Sequence, residues 1–361
     1  MRRLAALIHA DSGVDLRPEA DVIWAQVESL QARGIDARAW EYDDPLIIKP
    51  PPPPPIPQYP VNRMKGGVHI VGTERNGYGE MLRILAEAGR SLGLVKVFMT
   101  SGIAEAKSYG PGPTYGVYRG WAEGTFADGD TPPGNWCEGR WLTDISGMAR
   151  DWMACLYPLW EPMRGEADFF EFWNEPQPAT EDAMRRASDF IFAAMEDAEA
   201  HGFKTAIWSW NAGKPSTPTL VNPEDPGSYC PQMEIAAGTF KWAAEHGHIL
   251  SVHDGSCNED RRLLRQGAED KTALRYRHIK TMMDELGWPM PYVAITECYQ
   301  VDGYRRPDWE DWSWYLKELQ RDDYVLGCAW FTLGSWSFDG AHSVNIQGQI
   351  IPWAERVLVN L

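Results

Sequence analysis

Two glutamates, Glu175 and Glu297, each follow an apolar run with the length of a buried strand. The first ends the stretch ADFFEFWNEP (167–176), and the second ends PYVAITE (291–297). Two carboxylates in one pocket can divide two tasks, because one donates a proton while the other stays ionised and attacks or activates water. Cleavage of a glycosidic bond requires that division. A glutamate at a strand end can equally be a surface residue, so the pair is informative only if the fold brings its members together.

Other polar and aromatic residues follow predicted strands in the same way. They are Asn174, the segment Trp208 to Asn211, the pair His253-Asp254, and Trp330. If the strands form a parallel barrel, these ends share the face on which active sites lie. His69, His253 and Asp254 could instead bind a metal ion together with either glutamate, although the eight histidines of the chain form no compact ligand motif. His69 is otherwise expected to be a hydrogen-bonded histidine of the barrel.

The elements that would position these residues alternate between strands and helices from residue 66 onward. Strands are predicted at 67–72, 94–100, 114–120, 167–174, 203–210, 248–255, 291–297 and 324–333. Helices are predicted at 78–93, 143–160, 180–202, 232–247, 271–287, 307–322 and 351–360. This alternation is typical of parallel βαβ units, and the strand count predicts an α/β protein with a closed (β/α)8 TIM barrel. A doubly wound sheet usually carries a GxGxxG loop after its first strand, which GVHIVGTERNGYGE does not match.

The first 60 residues are predicted to lie outside the barrel. A strand at 3–9, a helix at 18–34 and a strand at 35–42 indicate a small βαβ-like extension over residues 1–48. The segment KPPPPPPIPQYP at 49–60 favours an extended polyproline II conformation and predicts a stiff linker. The barrel domain is therefore expected at 61–361.

Composition narrows the class of partner. The formal net charge of −17 disfavours nucleic acid, which needs a basic surface, and is compatible with a neutral polymer. No apolar run is long enough to span a membrane, so no membrane partner is expected. The start, MRRLAALIHADSG, reads better as a first strand than as a signal peptide, which favours a cytoplasmic protein or release by another route. The chain has 18 Trp and 14 Tyr, and some of these rings could stack on sugars.

The glutamate-bearing motifs resemble those of a known group of enzymes. FWNEP (172–176) at the fourth strand and ITE (295–297) at the seventh are similar to clan A of the glycoside hydrolases. These are retaining (β/α)8 enzymes that include cellulases, mannanases and xylosidases. MLRILAEAGRSLGLVKVF (81–98) also resembles the first helix and second strand of that clan. The resemblance spans roughly residues 66–361.

The resemblance implies a role for each matched residue. Glu175 would be the general acid/base, Glu297 the nucleophile, and Asn174 a ligand of the sugar 2-hydroxyl. His253 would position the nucleophile or the substrate, and Trp330 would form the floor of the subsite nearest the cleaved bond. The expected substrate contacts also include Trp208, Trp210 and Tyr299. A carbohydrate substrate is expected, with endo action on a β-glycan, and no metal or cofactor.

Two departures from the clan pattern bear on the environment of the nucleophile. Gly255 stands where many relatives have a tyrosine two residues after the histidine, and KVFMT stands where an arginine often ends the second strand. Glu171 shares strand parity with Glu175 and is expected to be a buried carboxylate without a catalytic role. The alternatives are a catalytically inactive carbohydrate-binding barrel, a metal-dependent barrel hydrolase, and a hydrolase of bacterial cell-wall polysaccharide.

Overall fold

The computed structural model describes most of the barrel but not the N-terminal segment 1–55. The residues it describes are 56–73, 75–120, 140–176, 178, 180–213, 231–255, 263–270, 272–300, 307–334 and 345–361. They belong to one compact unit, Ile56–Leu361. The predicted extension at 1–48 and the first part of the predicted linker lie outside these residues, so their structure stays a prediction.

Eight parallel strands close into a barrel in chain order, and β8 pairs with β1. This arrangement confirms the predicted (β/α)8 TIM barrel. The strands are β1 (Gly66–Val71), β2 (Leu94–Phe98), β3 (Tyr115–Arg119), β4 (Phe169–Glu171), β5 (Thr205–Trp210), β6 (Ile249–Gly255), β7 (Val293–Tyr299) and β8 (Val325–Leu333). Strand β4 is shorter than expected, because the chain leaves the ladder before Asn174 and Glu175.

Helices surround the strands. They are α1 (Tyr78–Glu87), α2 (Ile103–Lys107), α3 (Arg140–Thr143), α4 (Ile145–Trp160), α5 (Glu181–Ala200), α6 (Pro231–His246), α7 (Leu264–Asp270), α8 (Tyr276–Glu285), α9 (Trp309–Gln320) and α10 (Ile350–Arg356), with 3-10 turns at Glu161–Met163 and Leu358–Asn360. The sequence did not predict α2, α3 or α7. The helix predicted at 271–287 begins only at Tyr276, after a break in which Leu274 adopts a positive φ.

Polar caps fix where three long helices begin. The side chain of Asp144 accepts a hydrogen bond from the N–H of Gly147, which separates α4 from the short α3. Thr180 caps α5 and Asp308 caps α9 in the same way. Such caps satisfy N–H groups that have no partner within the helix.

The apolar core has two layers that follow from strand alternation. Residues of β2 to β8 form an inner cluster that contains no helix residue and fills the lower barrel: Leu94, Tyr115, Val117, Phe169, Ala206, Ile249, Ala294, Leu326 and Ala329. A larger cluster joins the outward-facing strand residues to the helices. In a parallel barrel both faces of every strand are covered, so inner and outer residues alternate along one apolar run.

Residues at the end of the predicted linker pack against the barrel. The ring of Tyr59 makes edge contacts with Tyr115, Phe169 and Tyr292, at centroid distances of 5.9, 5.3 and 5.3 Å. Its hydroxyl donates to the carbonyl of Gly247, and the Tyr115 hydroxyl donates to the carbonyl of Pro60. The chain around Tyr59 therefore covers the inner apolar cluster.

Among the described residues, no helix has both the length and the apolar character needed to span a membrane.

Candidate active site

The ends of β4, β6 and β7 bring Glu175, His253 and Glu297 together. One carboxylate oxygen from each glutamate and one ring nitrogen of His253 lie within 4.8 Å of one another. Glu175 follows β4 in a left-handed conformation with φ 51°, and its N–H donates to the carbonyl of Ser209 at 3.0 Å. A non-glycine residue with positive φ is uncommon and is a feature of many functional sites. The two carboxylates, distant in sequence, therefore share one pocket.

A register shift in β7 turns Glu297 into the barrel. Val252 of β6 pairs with Ile295, but His253 pairs with Glu297, so Thr296 is an extra residue in β7. Ala294 belongs to the inner cluster and Ile295 to the outer one, so strict alternation would turn Glu297 towards the helices. A bulge re-aims the side chains that follow it. It places Thr296 Oγ1 2.7 Å from Ser251 Oγ and directs Glu297 towards His253.

Below the two glutamates lies a buried charged group that the sequence had not revealed. Lys96 Nζ donates to Oε1 of Glu171 and to Oε1 of Glu297, each at 3.0 Å. The side chains of Lys96 and Glu171 are completely buried. Arg119 Nε lies 3.8 Å from Glu171 Oε1, and Ser251 Oγ donates to Glu171 Oε2 at 3.4 Å. Glu171 is thus buried, as expected from its strand parity, and its partners are two cations that the sequence did not predict.

These charges lower the pKa of both buried carboxylates. Burial raises the pKa of Glu297, but the positive charges of His253, Lys96 and Arg119 and the hydrogen bond from Lys96 outweigh it, so the pKa lies below its usual value. Burial also raises the pKa of Glu171, and Lys96 and Arg119 again bring it below normal. Glu297 is therefore held as an anion.

Two histidines flank Glu297. His253 Nδ1 lies 2.9 Å from Glu175 Oε1 and 3.8 Å from Glu297 Oε2, so it contacts both carboxylates. His69 Nδ1 lies 3.7 Å from Glu297 Oε1. Burial, followed by the charge of Lys96, holds the pKa of His69 well below its usual value, so its ring is neutral. Neither ring nitrogen of His69 has a hydrogen-bond partner among the described residues, and the expected hydrogen-bonded barrel histidine stays a prediction.

Three of the expected substrate contacts are wrong. Trp330 has no exposed surface, and its ring packs against Trp309, Trp312 and Trp353 in the layer between β8 and the helices. Phe331, the next residue, lies on the inner side instead. It pairs with His69 across the β1–β8 ladder, and the two ring centroids are 5.1 Å apart. Phe331, one residue beyond the predicted position, therefore places its ring on the inner side of β8 beside His69.

Trp208 and Trp210 face the helices because β5 also contains a bulge. Ile207 pairs with Leu250 and Trp210 pairs with Val252, which leaves one extra residue in β5. If strand alternation continued unbroken from the inner residue Ala206, both indole rings would point into the barrel. Instead Trp208 Nε1 donates to Thr239 Oγ1 of α6 at 3.0 Å, and both indole rings pack near Phe240 of α6. Both side chains are buried there, away from the pocket.

Asn174 and Tyr299 lie beside the two glutamates in the chain. Asn174 is buried immediately before Glu175. Tyr299 is partly exposed at the end of β7, and its hydroxyl donates to Asn211 Oδ1 at 3.3 Å. Both positions are compatible with substrate contact, and their roles stay predictions.

Part of the metal-binding alternative is contradicted. Asp254 Oδ2 accepts hydrogen bonds from the Tyr315 hydroxyl at 2.6 Å and from the Leu274 N–H at 2.8 Å, so it faces α9 rather than the pocket. Glu175, His253 and Glu297 have donor types and spacing that a divalent ion could use. The ammonium of Lys96, 3.0 Å from Glu297, already supplies a positive charge there and would repel a metal ion.

Sequence reasoning overlooked Lys96, Arg119 and Phe331. Lys96 is the single charged residue of the strand LVKVF, and it shares parity with the inner residue Leu94. A lysine that must point into an apolar barrel needs a buried counter-charge. That signal was available, but its partners Glu171 and Glu297 come from distant strands.

Comparison with known proteins assigns no family to this chain. No protein-family model matches it, and no curated protein is significantly similar. Among solved structures, a GH5-4 broad specificity endoglucanase from Clostridium longisporum is 13% identical, with a TM-score of 0.44, over 81% of this chain and 97% of that one. The catalytic domain of CelCCA is 11% identical, with a TM-score of 0.46, over 86% and 95% of the two chains. A family 1 β-glucosidase from Thermotoga maritima is 11% identical, with a TM-score of 0.41, over 82% and 98%.

Proposed function

We propose that this chain is a retaining glycoside hydrolase that cleaves β-glycosidic bonds by double displacement. Glu175 is the general acid/base and Glu297 is the nucleophile. The observation that carries the proposal is their separation, since one oxygen of each carboxylate lies within 4.8 Å of the other. Retaining enzymes hold their two carboxyl groups about 5–5.5 Å apart, whereas inverting enzymes leave roughly 6.5–9.5 Å for a water molecule.

The environments of the two carboxylates suit different tasks. Lys96 donates to Glu297 from below, and the buried cations keep Glu297 ionised for attack on the anomeric carbon. The Glu175 side chain is 22% exposed, against 9% for Glu297, and among the described residues its one ion-pair contact is with His253. Glu175 is thus the more accessible group for proton exchange with substrate and water.

The reaction follows from this division. Glu175 donates its proton to the glycosidic oxygen as that bond breaks, and Glu297 forms an ester with the anomeric carbon. The ionised Glu175 then removes a proton from water, which attacks the same carbon and releases Glu297. His253 contacts both carboxylates and can hold them in position through both steps.

For the substrate we propose a β-linked glycan that is cut internally. The stretches of sequence that follow β3, β5 and β8 contain Trp121, Trp136, Tyr229 and Trp336, which lie outside the described residues. Tyr115 is not among these residues, because its ring lies in the inner apolar cluster against Tyr59. The acidic chain is compatible with a neutral polymer.

The proposal can be tested by screening β-glucan, mannan, xylan and aryl β-glycosides and following the first product by proton NMR. The first-formed hemiacetal should be the β anomer, and viscosity should fall faster than reducing ends appear. An initial α anomer would contradict the retaining mechanism. If viscosity falls only slowly while reducing ends are released, endo action is contradicted, but the retaining mechanism is not.

A metal-dependent hydrolase is the second candidate, because Glu175, His253 and Glu297 have the spacing of a metal site. The two candidates make opposite predictions. Incubation with EDTA should leave a glycosidase of the proposed kind fully active, whereas loss of activity that Zn²⁺ or Mn²⁺ restores would favour the metal enzyme.

A further inference from the structure

The charged layer beneath the two glutamates spans the barrel interior. Lys96 and Glu171 come from β2 and β4, two of the alternate strands whose side chains share a layer in such barrels. Both side chains are completely buried, and their charged atoms are 3.0 Å apart. Apolar residues commonly fill these positions, so the pair replaces ordinary packing with charges that must be compensated.

Lys96 is shared between two carboxylates. Its Nζ is equally far, 3.0 Å, from Glu171 Oε1 and from Glu297 Oε1. One ammonium cannot fully neutralise two anions, so each carboxylate weakens the hold of Lys96 on the other. Glu171 therefore acts on Glu297 in two ways, by competing for Lys96 and by direct repulsion.

The other ionisable groups around Glu297 do not replace Lys96. His69 of β1 lies 3.7 Å away and is neutral, and His253 of β6 lies 3.8 Å away while making its closer contact with Glu175. Arg119 of β3 acts on Glu297 through its charge, and its Nε lies 3.8 Å from Glu171 Oε1. Lys96 is thus the permanent cation in direct contact with Glu297.

We propose that Lys96 and Glu171 are a pair of positioning residues that set the charge and orientation of Glu297, with Lys96 stabilising the anion and Glu171 limiting that stabilisation. The inference rests on the proposed function, since Glu297 is the nucleophile there. Neither residue is exposed, so neither touches substrate. A nucleophile held too tightly by a cation attacks poorly, and one left unpaired becomes protonated.

The proposal predicts shifts of opposite sign for the two members of one ion pair. Lys96→Met removes the cation and should move the acidic limb of the kcat/KM profile upward by about one pH unit or more. Glu171→Gln removes the competitor and should move the same limb downward. Lys96→Arg keeps the charge and should leave the limb within about half a unit of wild type.

The experiment compares pH profiles of kcat and KM for the full-length wild type and the three variants. Lys96→Met should lower kcat by about 10²-fold near neutral pH with little change in KM, because Lys96 acts through Glu297. Lys65→Met is the matched control. Lys65 is also buried, but its Nζ donates to the carbonyl of Val325 away from the pocket. This variant should leave the acidic limb where it is in wild type.

A structural role alone would give a different result. If the pair only supports the barrel, both substitutions should reduce stability while the acidic limb stays in place or moves in one common direction, and that outcome overturns the proposal. If Lys96→Met does not fold, the other two variants still test the proposal. The acidic limb of the kcat/KM profile should move downward in Glu171→Gln and stay in place in Lys96→Arg, and any other result overturns the proposal.

A second measurement separates this inference from the proposed function. The Glu297 carboxyl signal can be followed by carbon-13 NMR titration and assigned by its loss in Glu297→Gln. If no glycoside is cleaved, the proposed function fails, yet the Glu297 midpoint should still rise in Lys96→Met and fall in Glu171→Gln. Midpoints that do not move in opposite directions overturn the inference whether or not the chain is a hydrolase.

Discussion

The ring of Tyr299 lies over Gly255. Gly255 occupies the position at which many members of the clan have a tyrosine. A Cβ on Gly255 would lie 2.6 Å from Cε2 of Tyr299, closer than such atoms approach in proteins. The tyrosine ring at this corner of the pocket therefore comes from β7 rather than from β6. Its hydroxyl reaches Asn211 after β5, so one side chain connects the ends of three strands.

Gly255→Ala should displace the Tyr299 ring and cost about 1–3 kcal/mol of stability as an overpacked site. Activity should fall with it. Tyr299→Ala removes the obstacle, so the double variant should show a smaller stability loss than the sum of the single variants. Denaturant titrations of all three proteins measure this coupling, and strictly additive losses would show that the two residues do not compete for space.

Glu297→Gln should reduce kcat by on the order of 10³- to 10⁶-fold, as expected for loss of a nucleophile. The fold should persist, because Lys96 keeps Glu171 as its partner. Circular dichroism and thermal unfolding check the fold. Glu161→Gln, at an exposed ion pair with Arg164, is the control and should keep full activity. Full turnover in Glu297→Gln would remove it from the mechanism.

Glu175→Ala should lose most activity on substrates with poor leaving groups and retain more on activated aryl glycosides, which need no proton donor. Azide should restore turnover by entering the space that the carboxylate leaves, and the product should be a β-glycosyl azide. Wild type should not be accelerated by azide. Absence of both leaving-group dependence and rescue would count against a general acid/base.

Phe331→Ala should lower kcat/KM by about 10- to 100-fold, equivalent to ~1.4–2.8 kcal/mol, with a smaller effect on folding. Trp330→Ala should instead reduce stability strongly and change kcat/KM little. It leaves a cavity among Trp312 and Trp353 and should cost ~3–5 kcal/mol of stability, while KM of the folded fraction stays near wild type. The opposite pattern would place Trp330, not Phe331, in the subsite.

The free energy of unfolding should depend on pH through Asp254, whose side chain lies between β6 and α9. Burial raises the pKa of Asp254 from its usual 3.8 to about 6. The folded state thus favours the protonated acid, and this contribution is complete below about pH 4 and lost as pH rises through about 6. A shift of this size corresponds to ~3 kcal/mol. Glu171 and Glu297 have lowered pKa values and oppose this trend, because their contribution is lost as pH falls.

Asp254→Asn isolates the effect, because an amide cannot ionise but can still accept from Tyr315 and Leu274. The free energy of unfolding of the variant relative to wild type should increase between pH 4 and pH 7. A difference that stays constant over this range would show that Asp254 does not titrate there.

Sequence alone determined the barrel and its two glutamates. Parallel strands buried on both faces produce long apolar runs in the sequence, and the polar residues after those runs indicate the face proposed to be catalytic. Glu175 and Glu297 were found because each ends such a run. The caps at Thr180 and Asp308 were also readable, since capping depends on local side chains.

Only the tertiary structure decided which side chains face the pocket. One extra residue in β7 turns Glu297 inward, and one in β5 turns Trp208 and Trp210 outward, because a single inserted residue reverses strand alternation beyond it. Bulges have no reliable local sequence signal, so predictions from strict alternation fail beyond them. Lys96, Glu171 and Glu297 meet only when β2, β4 and β7 close around one interior, since the energy of a buried charge depends on partners far away in the chain.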